Sequence, residues 1–145
     1  MNLQDCIQFA TENPVCYLAT MDGEQPRVRT YLLWFADENG FYFATFSPKG
    51  VCKQLQAHPL VEVCFYNNAA DLGGAKHMRV TGKVEFIDDL ALKTKLLEDR
   101  PFYKPVASGK PEDPFYQIFR IHTGEAHFWT MADIMKESEL ERIKF

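Results

Sequence analysis

Four basic side chains stand in two short-range pairs that could hold an anion: Arg27 with Arg29, and Lys49 with Lys53. In a strand, both guanidiniums leave one face while Val28 and Thr30 leave the other, because side chains alternate along an extended chain. Two like charges on one face require compensation. It comes either from carboxylates opposite a solvated strand or from a phosphate, which suits the planar, bidentate fork of Arg. Lys49 and Lys53 are one helical turn apart and follow Ser47-Pro48, which reads as an N-cap with proline at the first helical position. A lysine in a first turn opposes the helix dipole unless an anion sits there, and the free backbone N–H groups of that turn would bind the same anion. Neither cluster alone separates a binding site from a solvated face; together they favour a phosphate site.

The other reactive residue types point to packing. Cys6, Cys16, Cys52 and Cys64 lack the CxxC spacing of a zinc site or redox dithiol, so reduced thiols are expected. Cys16 and Cys64 alternate with apolar neighbours and read as small buried hydrophobes. Cys52 lies between Lys49 and Lys53, which could lower its pKa, but no histidine is near it in sequence to act as a base. His122 and His127 have no Asp, Glu or Cys at ligand spacing, and no metal site is expected. Gly73-Gly74 lacks the GxGxxG spacing of a dinucleotide loop.

The elements that must carry these groups are mostly strands. Leu3, Cys6, Ile7 and Ala10 follow helical spacing up to Asn13-Pro14, which predicts a helix over 3–12. Strands are predicted over 15–20, 26–35, 41–45, 61–66 and 77–86, with a helix from Ser47 to about His58-Pro59. Gly82 marks a bulge in the last of these strands. Asp88 is placed to cap a helix that ends near Asp99-Arg100-Pro101, and four prolines between 101 and 114 indicate an ordered excursion or a mobile lid. A final hairpin over 115–122 and 125–130, turning at Thr123-Gly124, and a short helix over 136–144 complete the reading. Six or seven strands with hairpin links suggest an antiparallel barrel, since closure removes exposed edges.

A chain of 145 residues with 46% hydrophobic and 25% charged residues fits one globular domain over 1–145. The net charge of -4 argues against nucleic acid as a partner, because that affinity rests on neutralising phosphates. The N-terminus has no basic region before an apolar stretch, and no uncharged apolar run approaches the roughly 20 residues of a membrane span. A cytoplasmic protein without membrane contact is expected.

In order along the chain, Tyr17-Leu18-Ala19-Thr20, Gly23, Pro26-Arg27-Val28-Arg29, Gly40-Phe41-Tyr42-Phe43-Ala44-Thr45, Lys49, Lys53-Gln54-Leu55 and Pro59 resemble the pyridoxamine 5'-phosphate oxidase-like, FMN-binding split-barrel family. Arg79-Val80-Thr81-Gly82-Lys83 with Asp88 is similar to a later strand of that family. The resemblance spans roughly residues 10 to 130 and lies in order and spacing, since no single piece is diagnostic. It implies a six-stranded antiparallel split β-barrel, a homodimer, and one FMN in each of two interface clefts. Arg29 then matches a phosphate-binding arginine. Thr45, Ser47 and Lys49 fall in the segment that contacts phosphate and ribityl groups, followed by Lys53 and Gln54. Arg27, Val28 and Thr30 would lie beside the flavin, and His77 at a ring-contact position. Trp129 could stack on a partner subunit's flavin or serve as core or interface packing. The resemblance does not extend to a C-terminal Arg-x-His substrate motif, so vitamin B6 oxidation is not implied. It implies an FMN-dependent oxidoreductase with no catalytic residue assigned. The alternatives are a flavin-binding electron carrier or redox sensor, and the same fold holding the deazaflavin F420 or haem.

Overall fold

The computed structural model describes residues 1–145. Its strands are β1 (Val15–Asp22), β2 (Gln25–Leu32), β3 (Phe35–Asp37), β4 (Gly40–Phe46), β5 (Leu60–Tyr66), β6 (Lys76–Ile87), β7 (Tyr116–Thr130) and β8 (Ile143–Lys144). They form one antiparallel sheet in the order β2-β1-β5-β6-β7-β4-β3, with β8 on β7. The helices are α1 (Leu3–Glu12), α2 (Gly50–Ala57) and α3 (Leu90–Asp99).

Alternation sets the inside of the barrel. Cys16 and Leu18 of β1, Val63 and Phe65 of β5, Met78 and Val80 of β6, and Phe119 and Ile121 of β7 are fully buried together. α1 adds Cys6 and Ala10 to that core, and its start is fixed by a reciprocal Asn2–Asp5 capping box. β4 reads as a continuous apolar run because both its faces are covered. Phe41 and Phe43 enter the barrel, while Tyr42 and Ala44 meet Leu96 of α3 and Ile118. The sheet curls but does not close by a ladder. β2 is an edge strand, and across the gap the Tyr31 hydroxyl donates to the Ala44 carbonyl at 2.7 Å. The architecture is a split antiparallel barrel.

Several sequence expectations need correction. There are eight strands rather than the six or seven expected: residues 26–35 break at Leu33-Trp34 into β2 and β3, the two predicted strands of 115–130 are one, and the predicted C-terminal helix is instead a short turn at Glu137–Glu139 followed by β8. Ser47-Pro48 does not cap α2; Lys49 is its N-cap, with no side-chain cap bond. Asp89, not Asp88, caps α3, accepting from the Leu92 amide at 2.7 Å. Residues 101–106 form an ordered 3-10 turn. No hairpin turns at Thr123-Gly124: β7 runs through for 15 residues. Gly124 faces Gly82, and a Cβ on Gly124 would lie 2.0 Å from the Thr81 carbonyl oxygen. The glycine permits close strand approach, not a turn. The β6 register shifts one step beyond Gly82, between Lys83 and Val84.

Gly124→Ala is expected to destabilise the protein by about 1–3 kcal/mol through this overlap with backbone, as read by chemical denaturation. Gly50→Ala is the control, because its new carbon finds ordinary contact 3.6 Å from the Gln54 amide nitrogen and leaves stability unreduced.

Candidate functional site

Arg29 sits opposite Leu18 in the β1–β2 ladder and therefore shares the inward face of β1. Its Nη1 donates to the Leu18 carbonyl at 3.2 Å and to Thr20 Oγ1 at 2.7 Å, and its Nη2 donates to Gln54 Oε1 at 2.7 Å. The Thr20 hydroxyl donates to the same Gln54 oxygen at 2.6 Å. These bonds tie β1, β2 and α2 together at one point. They use three of the roughly five N–H donors of a guanidinium, all on neutral acceptors. Arg29 is half-buried and belongs to none of the seven ion pairs in the structure. Burial lowers its pKa, the Tyr31 hydroxyl raises it and Arg27 lowers it again. The group keeps its charge, since arginine does not deprotonate in proteins.

Beside it, Lys49 begins α2 with no side chain capping the first amides, and it too lacks an ion-pair partner. Its Nζ lies 5.6 Å from the centroid of the Tyr31 ring. Tyr31 packs on Phe43 and Phe119, and burial pushes its hydroxyl up to about 12, so it remains a neutral donor to Ala44. The neighbouring Thr45 hydroxyl, in a residue 1% exposed, has no hydrogen-bond partner. A cleft of about 380 Å³ opens over Tyr31 and Lys49, lined also by Ala44, Phe46 and Tyr103 with Val15, Thr30 and Leu32. A half-buried cation without a counter-ion, a helix N-terminus carrying a lysine, and a spare buried hydroxyl fit an anionic ligand with an apolar body.

Of the residues singled out in the sequence, Thr30 and Lys49 line this cleft; Arg29, two residues before the cleft residue Tyr31, is bonded to Gln54, which lines an adjoining groove, and Thr45 lies between the cleft residues Ala44 and Phe46. Lys53 is exposed on an adjoining groove with Gly23, Gln54 and His58. Ser47 is held through its backbone, its amide donating to the Phe115 carbonyl at 3.0 Å. Arg27 is turned away and paired with Asp22 at 3.3 Å, a solvated-face arrangement. Val28 is 72% exposed on the outer face of the sheet. His77 and Trp129 stack on each other there, with centroids 4.9 Å apart and planes 7° apart. β1 and β5 lie between β2 and the His77 strand, a separation of about 14 Å at ordinary strand spacing, and Trp129 is one strand further on. Burial and then Arg79 lower the His77 pKa. Cys52 is fully buried, and burial raises its thiol pKa, against the lowering that flanking lysines suggest.

Thr20, Tyr31 and Tyr103 were missed. Tyr31 carried a signal, because strand alternation places it two residues beyond Arg29 on the same face. Thr20 and Tyr103 carried none; the first depends on ladder register and the second on a turn distant in sequence.

This geometry defines a split-barrel protein with a basic, aromatic-walled cleft at the open seam of the sheet. The chain belongs to the pyridoxamine 5'-phosphate oxidase family, whose model matches residues 3–130. Among solved structures it is similar to a NimC/NimA family protein from Clostridium acetobutylicum, with 27% identity, TM-score 0.77, and coverage of 98% of this chain and 92% of that one. A pyridoxamine 5'-phosphate oxidase-related, FMN binding protein from Nostoc punctiforme matches at 16% identity and TM-score 0.68, covering 98% of this chain and 95% of that one. The haem storage protein HutZ from Vibrio cholerae matches at 16% identity and TM-score 0.65, covering 90% and 95%. These last two likenesses show the fold alone. No curated protein matches the chain. No helix is long and apolar enough to cross a membrane.

Inorganic phosphate at millimolar concentration is expected to raise the thermal midpoint of the protein, because an anion bound only by the folded state stabilises it. Arg29→Ala abolishes the rise in differential scanning fluorimetry, whereas Arg27→Ala, which removes a guanidinium already paired with Asp22, leaves it intact.

Proposed function

We propose that this protein binds FMN in the cleft between β2, β4 and α2 and works as an FMN-dependent oxidoreductase. One observation carries the reading: Arg29 is a half-buried charge bonded only to neutral groups, next to the equally unpaired Lys49 at the start of α2. A terminal phosphate supplies the missing negative charge. Arg29 and Lys49 would hold it, with the Thr45 hydroxyl as a further donor, while Tyr31 and the other apolar walls shelter the uncharged part of the cofactor. When bound, FMN supplies hydride and electron transfer. The chain contributes position, orientation and exclusion of water. Membership of the family and the chain's likeness to the FMN binding protein of Nostoc punctiforme support the same cofactor.

Titration with FMN, followed by quenching of flavin fluorescence, tests this. Saturable, stoichiometric binding is expected. Charge-assisted hydrogen bonds of this kind contribute on the order of 1.5–3 kcal/mol, so Arg29→Ala and Lys49→Ala each weaken FMN roughly ten- to a hundredfold and riboflavin far less. Lys53→Ala acts more weakly, because that amine is exposed and screened. Equal loss of both flavins would place the phosphate elsewhere. Absence of flavin binding, with F420 or haem released from the purified protein instead, would replace the cofactor. Reversible reduction without turnover of any substrate would make the protein a carrier.

The same reading includes a homodimer. Val15, Tyr17, Val28 and Leu32 share the outer face of β1 and β2 and are 50%, 40%, 72% and 38% exposed, and Leu60, at 70%, stands at the start of β5 towards the other end of the same strands. Such a contiguous apolar face is suited to a partner. A second copy packed there is the way His77 and Trp129 could reach a cleft, which they cannot do within their own chain. Sedimentation at micromolar concentration is expected to report a dimer, and Val28→Asp to shift it towards monomer. A monomer that holds FMN tightly would contradict the interface site.

A further inference from the structure

Seven of the cleft residues lie between positions 15 and 49; the eighth, Tyr103, comes from the turn that follows α3. That turn is locked to the body of the barrel. The hydroxyl of Tyr116, itself fully buried, lies 3.0 Å from the carbonyl oxygens of both Tyr103 and Lys104, and it accepts the Gly109 amide at 3.0 Å. Arg100, 8% exposed, donates Nη2 to the Leu33 carbonyl at 2.7 Å and Nη1 to the Tyr103 hydroxyl at 3.2 Å. Leu33 follows directly on β2, so a buried guanidinium fastens the turn to the end of the strand that carries Arg29. The Tyr103 ring also meets Phe46 edge-on, with centroids 5.2 Å apart and planes at 89°.

Tyr103 is thus an aromatic ring fixed by its backbone, its hydroxyl and an aromatic neighbour, yet it stays only half-buried, on the wall of an open cleft. A ring held this way offers a flat apolar contact whose ordering cost is already met in the free protein. Its polar handle is spent internally on Arg100. What it presents to a ligand is the ring, and the ring does not distinguish a phosphate from a hydroxyl.

We propose that Tyr103 is a binding residue of the flavin cleft, its ring packing against the uncharged ribityl or isoalloxazine part of the cofactor while Arg29 and Lys49 hold the phosphate. The role rests on the flavin reading above. It divides the cleft into a basic end built by β2 and α2 and an aromatic wall supplied by the segment after α3. Sequence change in that segment then alters affinity for the whole flavin without touching the phosphate contacts.

The test is paired titration of the full-length protein with FMN and with riboflavin. Tyr103→Ala is expected to weaken both by the same factor, about tenfold, while Tyr103→Phe keeps both near the wild-type value. Val106→Ala, in the same turn but not on the cleft, changes neither. The thermal midpoint of each flavin-free variant is measured alongside, and Tyr103→Leu replaces the alanine variant if that one does not fold. Unchanged affinity in Tyr103→Ala overturns the assignment, as does a loss confined to FMN or a loss already complete in Tyr103→Phe. Failure of the wild type to bind either flavin is a different result: it removes the flavin reading itself.

Discussion

The close approach of β6 and β7 at Gly82 and Gly124 is the constraint on which the rest of the barrel depends. Side chains at both positions would collide with opposing backbone: a Cβ on Gly82 would lie 2.5 Å from the Thr123 carbonyl oxygen. Because neither residue has one, β7 continues for 15 residues and pairs along almost its whole length with β6. Its first half then carries β4 and its second half carries β8. β4 in turn stands across the seam from β2, and the seam is where the cleft opens.

Electrostatics at the seam explain why the two arginines of β2, alike in sequence, differ in role. Arg27 lies near the β1–β2 turn, where Asp22 is in reach and water screens the pair. Arg29 lies two residues further in, against Thr20 and Gln54, where neutral oxygens satisfy part of its hydrogen bonding and no carboxylate cancels its charge. Partial burial of an uncompensated cation costs stability. Under the proposed function, a negatively charged ligand would offset that cost. Lys49 adds a second such position, opposing the dipole of α2 until an anion arrives.

The aromatic residues divide by face in the same way. Phe41, Phe43, Phe65 and Phe119 build the interior, and Tyr31 spans from that interior to the cleft with its hydroxyl bound across the seam. His77 and Trp129 are left on the outer face, stacked on one another. The apolar surface of β1 and β2 shares that face. Arg29 and Tyr31 leave one side of β2 and Val28, Thr30 and Leu32 the other, as the two-residue period of the sheet requires, and the cleft opens at the strand edge where Tyr31 meets Thr30, Leu32 and Val15.

By itself the sequence determined the strand-rich class, α1 and most strand positions, and it singled out Arg29 and Lys49 as candidates, because these are local matters of alternation, helical spacing and charge. The alternation that put Arg29 on one face also put Tyr31 there, so part of the cleft was legible too. Ser47-Pro48 misled because capping depends on where the helix axis begins, and Thr123-Gly124 misled because a glycine for close strand approach looks the same in sequence as a glycine for a turn. Only the tertiary structure decided which arginine keeps its charge unpaired, that His77 and Trp129 lie three and four strands away from it, and that Tyr103 forms a wall of the cleft. Those facts depend on ladder register and on contacts between segments more than 50 residues apart, where no short-range pattern records which neighbour a side chain will meet.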